Sequence, residues 1–83
     1  MSDPLESQVI RIIAEAKNLD PNGISTATAM ADLGLDSLDG MSIIFDLENA
    51  FEIEIPEDAP AKAETVGDLI EGVRQLIAAR PPA

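Results

Sequence analysis

Apolar residues recur at helical spacing in three separate stretches of this chain, and polar residues, Gly and Pro punctuate the intervals. The first stretch opens at Asp3-Pro4-Leu5-Glu6. There Asp3 suits a cap, Pro4 the first helical position and Glu6 a reach back toward the cap. Leu5, Val9, Ile12, Ile13 and Ala16 then put one helix face in a core. Asp20-Pro21-Asn22-Gly23 is a turn signal that ends this element. Residues 20–34 have weak periodicity and read as a long loop pinned by Ile24, Met30 and Leu33.

The second helix is predicted from about Ser37 to Phe51, roughly 22 Å at the usual rise. Asp36-Ser37-Leu38-Asp39 supplies its start, a cap with an acid three positions on. At ~100° per residue, Ile43, Ile44, Leu47, Ala50 and Phe51 share one face, and Leu38, Met41 and Phe45 form a neighbouring stripe. The apolar arc is therefore wider than one core face needs, and part of the stripe is expected to stay exposed. Gly40 is a local weakness, costing about 1 kcal/mol relative to alanine in a helix interior. Glu52-Ile53-Glu54-Ile55-Pro56 alternates like a strand but has no partner run, so it reads as an extended connector. Residues 57–62 read as one irregular helical turn. Thr65-Val66-Gly67-Asp68 caps a final helix whose Val66, Leu69, Ile70, Val73 and Ile77 face the core, and Arg80-Pro81-Pro82 ends it in a frayed tail over 80–83. The expected fold class is all-α: a small bundle of three main helices plus a short irregular third helix, with a long loop between the first and second.

Composition narrows the functions open to such a bundle. Eighty-three residues read as one small domain over 1–83, near the lower size at which a core suffices without staples. No cysteine is present, so any thiol chemistry has to arrive on a prosthetic group. No signal-peptide pattern and no apolar run near the ~20 residues of a membrane span is found, so a soluble cytoplasmic protein is the default expectation. Sixteen acidic against five basic residues give a net charge of −11. That charge repels nucleic acid and anionic membranes and steers toward basic patches on protein partners. Disorder is disfavoured, because 46% of residues are hydrophobic and helically spaced.

The chemistry is concentrated at Gly34-Leu35-Asp36-Ser37-Leu38, a Gly-containing turn leading into a helix with one serine at its mouth. The orphan N–H groups of a first helical turn favour an anion there, which suits a serine that carries a phosphodiester. A serine nucleophile is disfavoured, since the chain has no histidine or cysteine to activate it or share the work. A calcium-binding regulatory module is disfavoured too. Its loop needs oxygen ligands at alternate positions, where Asp36 is followed by Leu38 and Gly40.

Asp32-Leu33-Gly34-Leu35-Asp36-Ser37-Leu38-Asp39, joined to Phe51, Glu54-Ile55-Pro56 and a last helix opened by Thr65-Val66, resembles the acyl carrier protein family over most of the chain. The resemblance implies a non-catalytic carrier. Ser37 would receive 4'-phosphopantetheine from coenzyme A through a separate phosphopantetheinyl transferase, with Asp36 helping to present it, and the arm would hold acyl groups as thioesters. It further implies a monomer whose partners are ketosynthase- or acyltransferase-type enzymes with basic patches. These would be met by Leu38, Asp39, Met41, Phe45 and Glu48, with the acids at Asp36, Asp39 and Glu48 guiding them in. Acyl intermediates would shelter between helices beside Leu47, Ala63 and Leu69, and no metal is implied. Ser42, Asn49 and Ala50 depart from the acids usual in fatty-acid-synthesis carriers, and Gly40, Asp46 and the small-residue run Ala59-Pro60-Ala61-Lys62-Ala63 depart as well. They point to a specialised rather than a housekeeping member. Fatty-acid or specialised lipid biosynthesis is the leading pathway reading, with a carrier domain for polyketide or aminoacyl assembly as the alternative.

Overall fold

A computed structural model describes residues 4–56 and 59–79 of the chain, with the side chains of 60 and 61 left aside. Helix α1 runs Pro4–Lys17, α2 Ser37–Phe51, α3 Ala59–Lys62 and α4 Val66–Ala79. Two short 3-10 turns, Pro21–Gly23 and Met30–Leu33, lie in the loop between α1 and α2. The expected all-α bundle of three main helices and a short third one is present. The proposed Asp3 cap and the 80–83 tail lie outside the described residues.

Helix α1 stops at a Schellman turn rather than simply running into the Asp20 turn. Asn18 adopts a left-handed φ of 57°. The Asn18 N–H then reaches the Glu15 carbonyl at 3.4 Å and the Leu19 N–H the Ala14 carbonyl at 2.8 Å. Beyond it, Ile24, Met30 and Leu33 are buried, so the loop is pinned as its apolar residues foretell. Three backbone hydrogen bonds zip this loop to the start of α4: Met30 N–H to the Glu64 carbonyl (2.8 Å), Val66 N–H to Thr28 (2.9 Å) and Gly67 N–H to Thr26 (2.9 Å). They surround an isolated antiparallel bridge between Ala29 and Thr65.

The start of α4 is boxed as expected. Thr65 Oγ1 accepts from the Asp68 N–H at 3.2 Å, and Asp68 Oδ2 accepts from the Thr65 N–H at 3.2 Å. Glu52, expected in the extended connector, instead caps α2 with a left-handed φ of 54°, and the extended connector covers 53–56. Its alternation buries Ile53 and Ile55 while Glu54 and Pro56 face solvent. It pairs with α2 instead of with a strand, because the Ile55 N–H donates to Glu48 Oε2 at 2.9 Å.

Val9, Ile13 and Ala14 of α1, Ile43 and Leu47 of α2, and Val66, Leu69, Ile70 and Val73 of α4 make the core, closed by the loop and connector residues. Leu5, Ile12, Ala16, Ile44, Phe51 and Ile77 were expected on core faces and are half-buried at its margin, while Ala50 is exposed. The packing of α1 against α2 and against α4 needs a narrower stripe than the full apolar arc of each helix.

Candidate functional site

Gly34 ends the second 3-10 turn with a left-handed φ of 66°, a conformation that glycine enters without the Cβ penalty. The chain then extends through Asp36 (φ −98°, ψ −174°) and enters α2 at Ser37. A reciprocal capping box fixes this entrance. Asp36 Oδ1 accepts from the Asp39 N–H at 2.8 Å, and Asp39 Oδ2 accepts from the Asp36 N–H at 3.2 Å. Ser37 is therefore the first residue of a capped helix, and it is exposed.

An ion pair joins this cap to the end of α1. Lys17 Nζ lies 3.0 Å from the same Asp39 Oδ2. The Lys17 hydrogen bond, supported by the Asp36 N–H, holds the Asp39 carboxyl below its ordinary range. The Asp39 carboxylate in turn raises Lys17, first through that hydrogen bond and then through its charge.

Beside Ser37 an open cleft of about 870 Å³ runs between α2, the loop and the connector. Asp36 and Ser37 stand on its wall with Gly40, and Met30, Leu35, Met41, Ile44 and Phe45 supply apolar lining. Ile55, Glu48 and Ala63 complete it. Of the three sequence-derived shelter residues, only Ala63 lines this cleft. Leu47 and Leu69 are 0% and 4% exposed and sit in the core behind it. The lining from Met30, Leu35 and Ile55 was not anticipated; the burial pattern of the connector carried a signal for Ile55, whereas nothing local marks Leu35.

The stripe on α2 behaves as its angular offset foretells. Leu38, Met41 and Phe45 are 73%, 66% and 65% exposed. The acids expected to flank it are differently employed. Asp39 is held in the cap and by Lys17, and Glu48 is half-buried with Oε2 on the Ile55 N–H. Both carboxylates thus serve the fold at the edge of the apolar stripe. Among the described residues, no group of three or more acids, histidines or cysteines converges as a metal site. Nor is any helix there long and apolar enough to cross a membrane.

A family model described as "Phosphopantetheine attachment site" matches residues 7–73. The chain is 39% identical over 80 residues to an acyl carrier protein of Phenylobacterium zucineum (strain HLK1), covering 95% of this chain and 100% of that protein. It is 39% identical over 79 residues to an acyl carrier protein of Caulobacter vibrioides (strain NA1000 / CB15N), covering 94% and 100%. A segment amounting to 3% of the non-reducing polyketide synthase tazA of Aspergillus terreus (strain NIH 2624 / FGSC A1156) is 35% identical over 69 residues, 83% of this chain. The match to this family model defines a phosphopantetheine-bearing carrier. The chain belongs to the acyl carrier protein family, and its cofactor is covalently attached 4'-phosphopantetheine.

The residues present fit that group. An exposed hydroxyl at the positive end of a fifteen-residue helix accommodates a phosphodiester, and the adjoining cleft is mainly apolar. When bound, the arm supplies a terminal thiol that holds acyl groups as thioesters.

Proposed function

We propose that Ser37 is the attachment point of the arm and that the chain shuttles acyl intermediates between enzymes without catalysing their reactions itself. The observation that carries this reading is the position of Ser37: exposed, first in the boxed helix, and on the wall of the cleft. Asp36 presents the serine by fixing the backbone before it. Leu38, Met41 and Phe45 form the apolar part of the surface met by the transferase and by acyl-handling enzymes of the ketosynthase and acyltransferase type. The net charge of −11 favours basic faces on those enzymes. Cargo shelters in the cleft against Ile44, Ile55 and Ala63. The setting is cytoplasmic, with the chain acting as one monomeric domain.

The pathway read here is fatty-acid or specialised lipid biosynthesis, supported by full-length similarity to stand-alone acyl carrier proteins. A polyketide role is the second reading, and the likeness to a segment of a polyketide synthase is what favours it.

The test is intact mass after incubation with coenzyme A and a phosphopantetheinyl transferase. The wild-type chain should gain one phosphopantetheine, and Ser37→Ala should fold with the same helical content and gain none. A mass increase in Ser37→Ala would place the arm elsewhere and refute the assignment.

A further inference from the structure

We propose that Lys17 is a positioning residue for the modification of Ser37, acting from the end of α1 through Asp39 and Asp36. This rests on the reading of Ser37 as the attachment point. The connection is a chain of three short contacts. Lys17 Nζ holds Asp39 Oδ2 at 3.0 Å, that same oxygen accepts from the Asp36 N–H at 3.2 Å, and Asp36 Oδ1 accepts from the Asp39 N–H at 2.8 Å. Asp36 is the residue whose backbone torsions set where Ser37 begins the helix, so the last link ends on the peptide that aims the serine.

Lys17 has a firm base for this work. It is the final residue of α1, ahead of the Schellman turn at Asn18, and the helix behind it is anchored by Ile13 and Ala14, buried to 0% and 2% exposure. The placement also satisfies two helix dipoles at once. A cation sits at the C-terminal end of α1, and an anion sits in the first turn of α2. A carboxylate that bonds one backbone N–H can turn about its own axis and exchange that bond for water. A second, charged hydrogen bond on the same oxygen opposes the turn.

Attachment itself adds to the demand on Lys17. Ser37 Oγ forms a bond to the pantetheine-side phosphorus of coenzyme A, and the phosphoanhydride bond breaks. Adenosine 3',5'-bisphosphate leaves, and the serine proton passes to a base of the transferase. One new negative charge then stands beside Asp36 and Asp39, with the Lys17 ammonium already placed among them. The pair lies at the surface with its side chains 36% and 19% exposed, and a single surface ion pair contributes little to global stability, so the effect belongs to the geometry of the serine rather than to the fold.

The experiment is steady-state modification of wild type, Lys17→Met and Lys17→Arg by one transferase with coenzyme A, resolved into kcat and KM. Lys17→Met should lower kcat by about threefold to tenfold, the loss expected of a modestly misaimed nucleophile, while KM stays level or falls. A fall in KM follows because removing a cation and freeing Asp39 makes the chain more attractive to a basic enzyme. Lys17→Arg should restore kcat. In the same samples, the Asp36 and Asp39 amides should exchange with solvent faster in Lys17→Met than in wild type. If Lys17→Met keeps the wild-type kcat, or Lys17→Arg loses as much as Lys17→Met, Lys17 does not position the serine. A wild-type chain that accepts no arm would instead overturn the attachment reading, so the two failures are distinct.

Discussion

Glu48 shows how a single carboxylate can be claimed by the fold on a helix used for recognition. Its Oε2 accepts the Ile55 N–H at 2.9 Å in a part-buried bond, and Ile55 is itself buried, so this N–H has little water to turn to. Replacing the acceptor leaves a desolvated donor, which costs about 1–3 kcal/mol. Glu48→Leu should therefore lower stability by that amount, whereas Glu48→Gln, which keeps an acceptor oxygen, should lose less than half as much. Urea unfolding of both variants decides the matter, and equal midpoints for the two would show that the hydrogen bond is not what Glu48 contributes. Asp39 follows the same logic: charge reversal there breaks the cap and the Lys17 pair as well as any steering, so it should disturb the start of α2 in addition to slowing association. At this scale the sequence reads the Asp36–Asp39 box well, because both partners fall within one helical turn. It is blind to Lys17 with Asp39, which lie 22 positions apart, and to Glu48 as an acceptor. A carboxylate in a sequence announces its charge and not the N–H it will meet.

Two glycines separate what an element needs from what it tolerates. Gly67, in the first turn of α4, donates its N–H to the Thr26 carbonyl at 2.9 Å, and a Cβ added there would lie 3.0 Å from that oxygen and 3.4 Å from Thr26 Cβ. The nearer of these atoms is a backbone oxygen held by the loop zip, so it cannot swing aside as the end of a long side chain would. Gly67→Ala should thus destabilise by roughly 1–2 kcal/mol as an overpacking change. Gly40 lies inside α2, and a Cβ there meets nothing within 4 Å. Gly40→Ala should stabilise by roughly 0.5–1 kcal/mol, since only the backbone freedom of glycine is removed. Thermal unfolding of the pair, with opposite signs expected, checks both; a stabilised Gly67→Ala would mean that the zip yields. The bounds of α2 and α4 are legible because caps and periodicity are local signals. The bridge between Ala29 and Thr65 is not, because neither flank alternates and the pairing spans two helices.

The cleft belongs to the whole molecule, because its walls come from the loop and α2, with Ile55 from the connector and Ala63 from the segment after α3. That is why its apolar α2 wall is legible as a surplus of hydrophobic stripe, while its opposite walls, apart from Ala63 and the alternation at Ile55, emerge only from the assembled bundle. Ala63 stands at this opposite wall, half-buried, with its N–H bonded to the Ala59 carbonyl at 3.2 Å. Its side chain is small, and Ala59 packs against the margin of the core nearby. The wall can therefore retreat around a long or bulky acyl chain with less strain than a wall of large residues. Ala63→Ile adds three carbons to that wall. At about 0.8 kcal/mol per buried CH₂, partial burial should raise the stability of the unloaded protein by roughly 1 kcal/mol. The same carbons occupy space that cargo would fill, so long-chain thioesters should gain less shelter in the variant than in wild type. Short chains, which reach less far, should be affected less. The measurement is the melting temperature of unloaded, short-chain and long-chain forms of both proteins. A long chain that raises wild type more than Ala63→Ile, with the difference growing with chain length, identifies Ala63 as a determinant of cargo size. Parallel shifts in the two proteins would place the terminal part of the chain elsewhere and remove Ala63 from the specificity of this carrier.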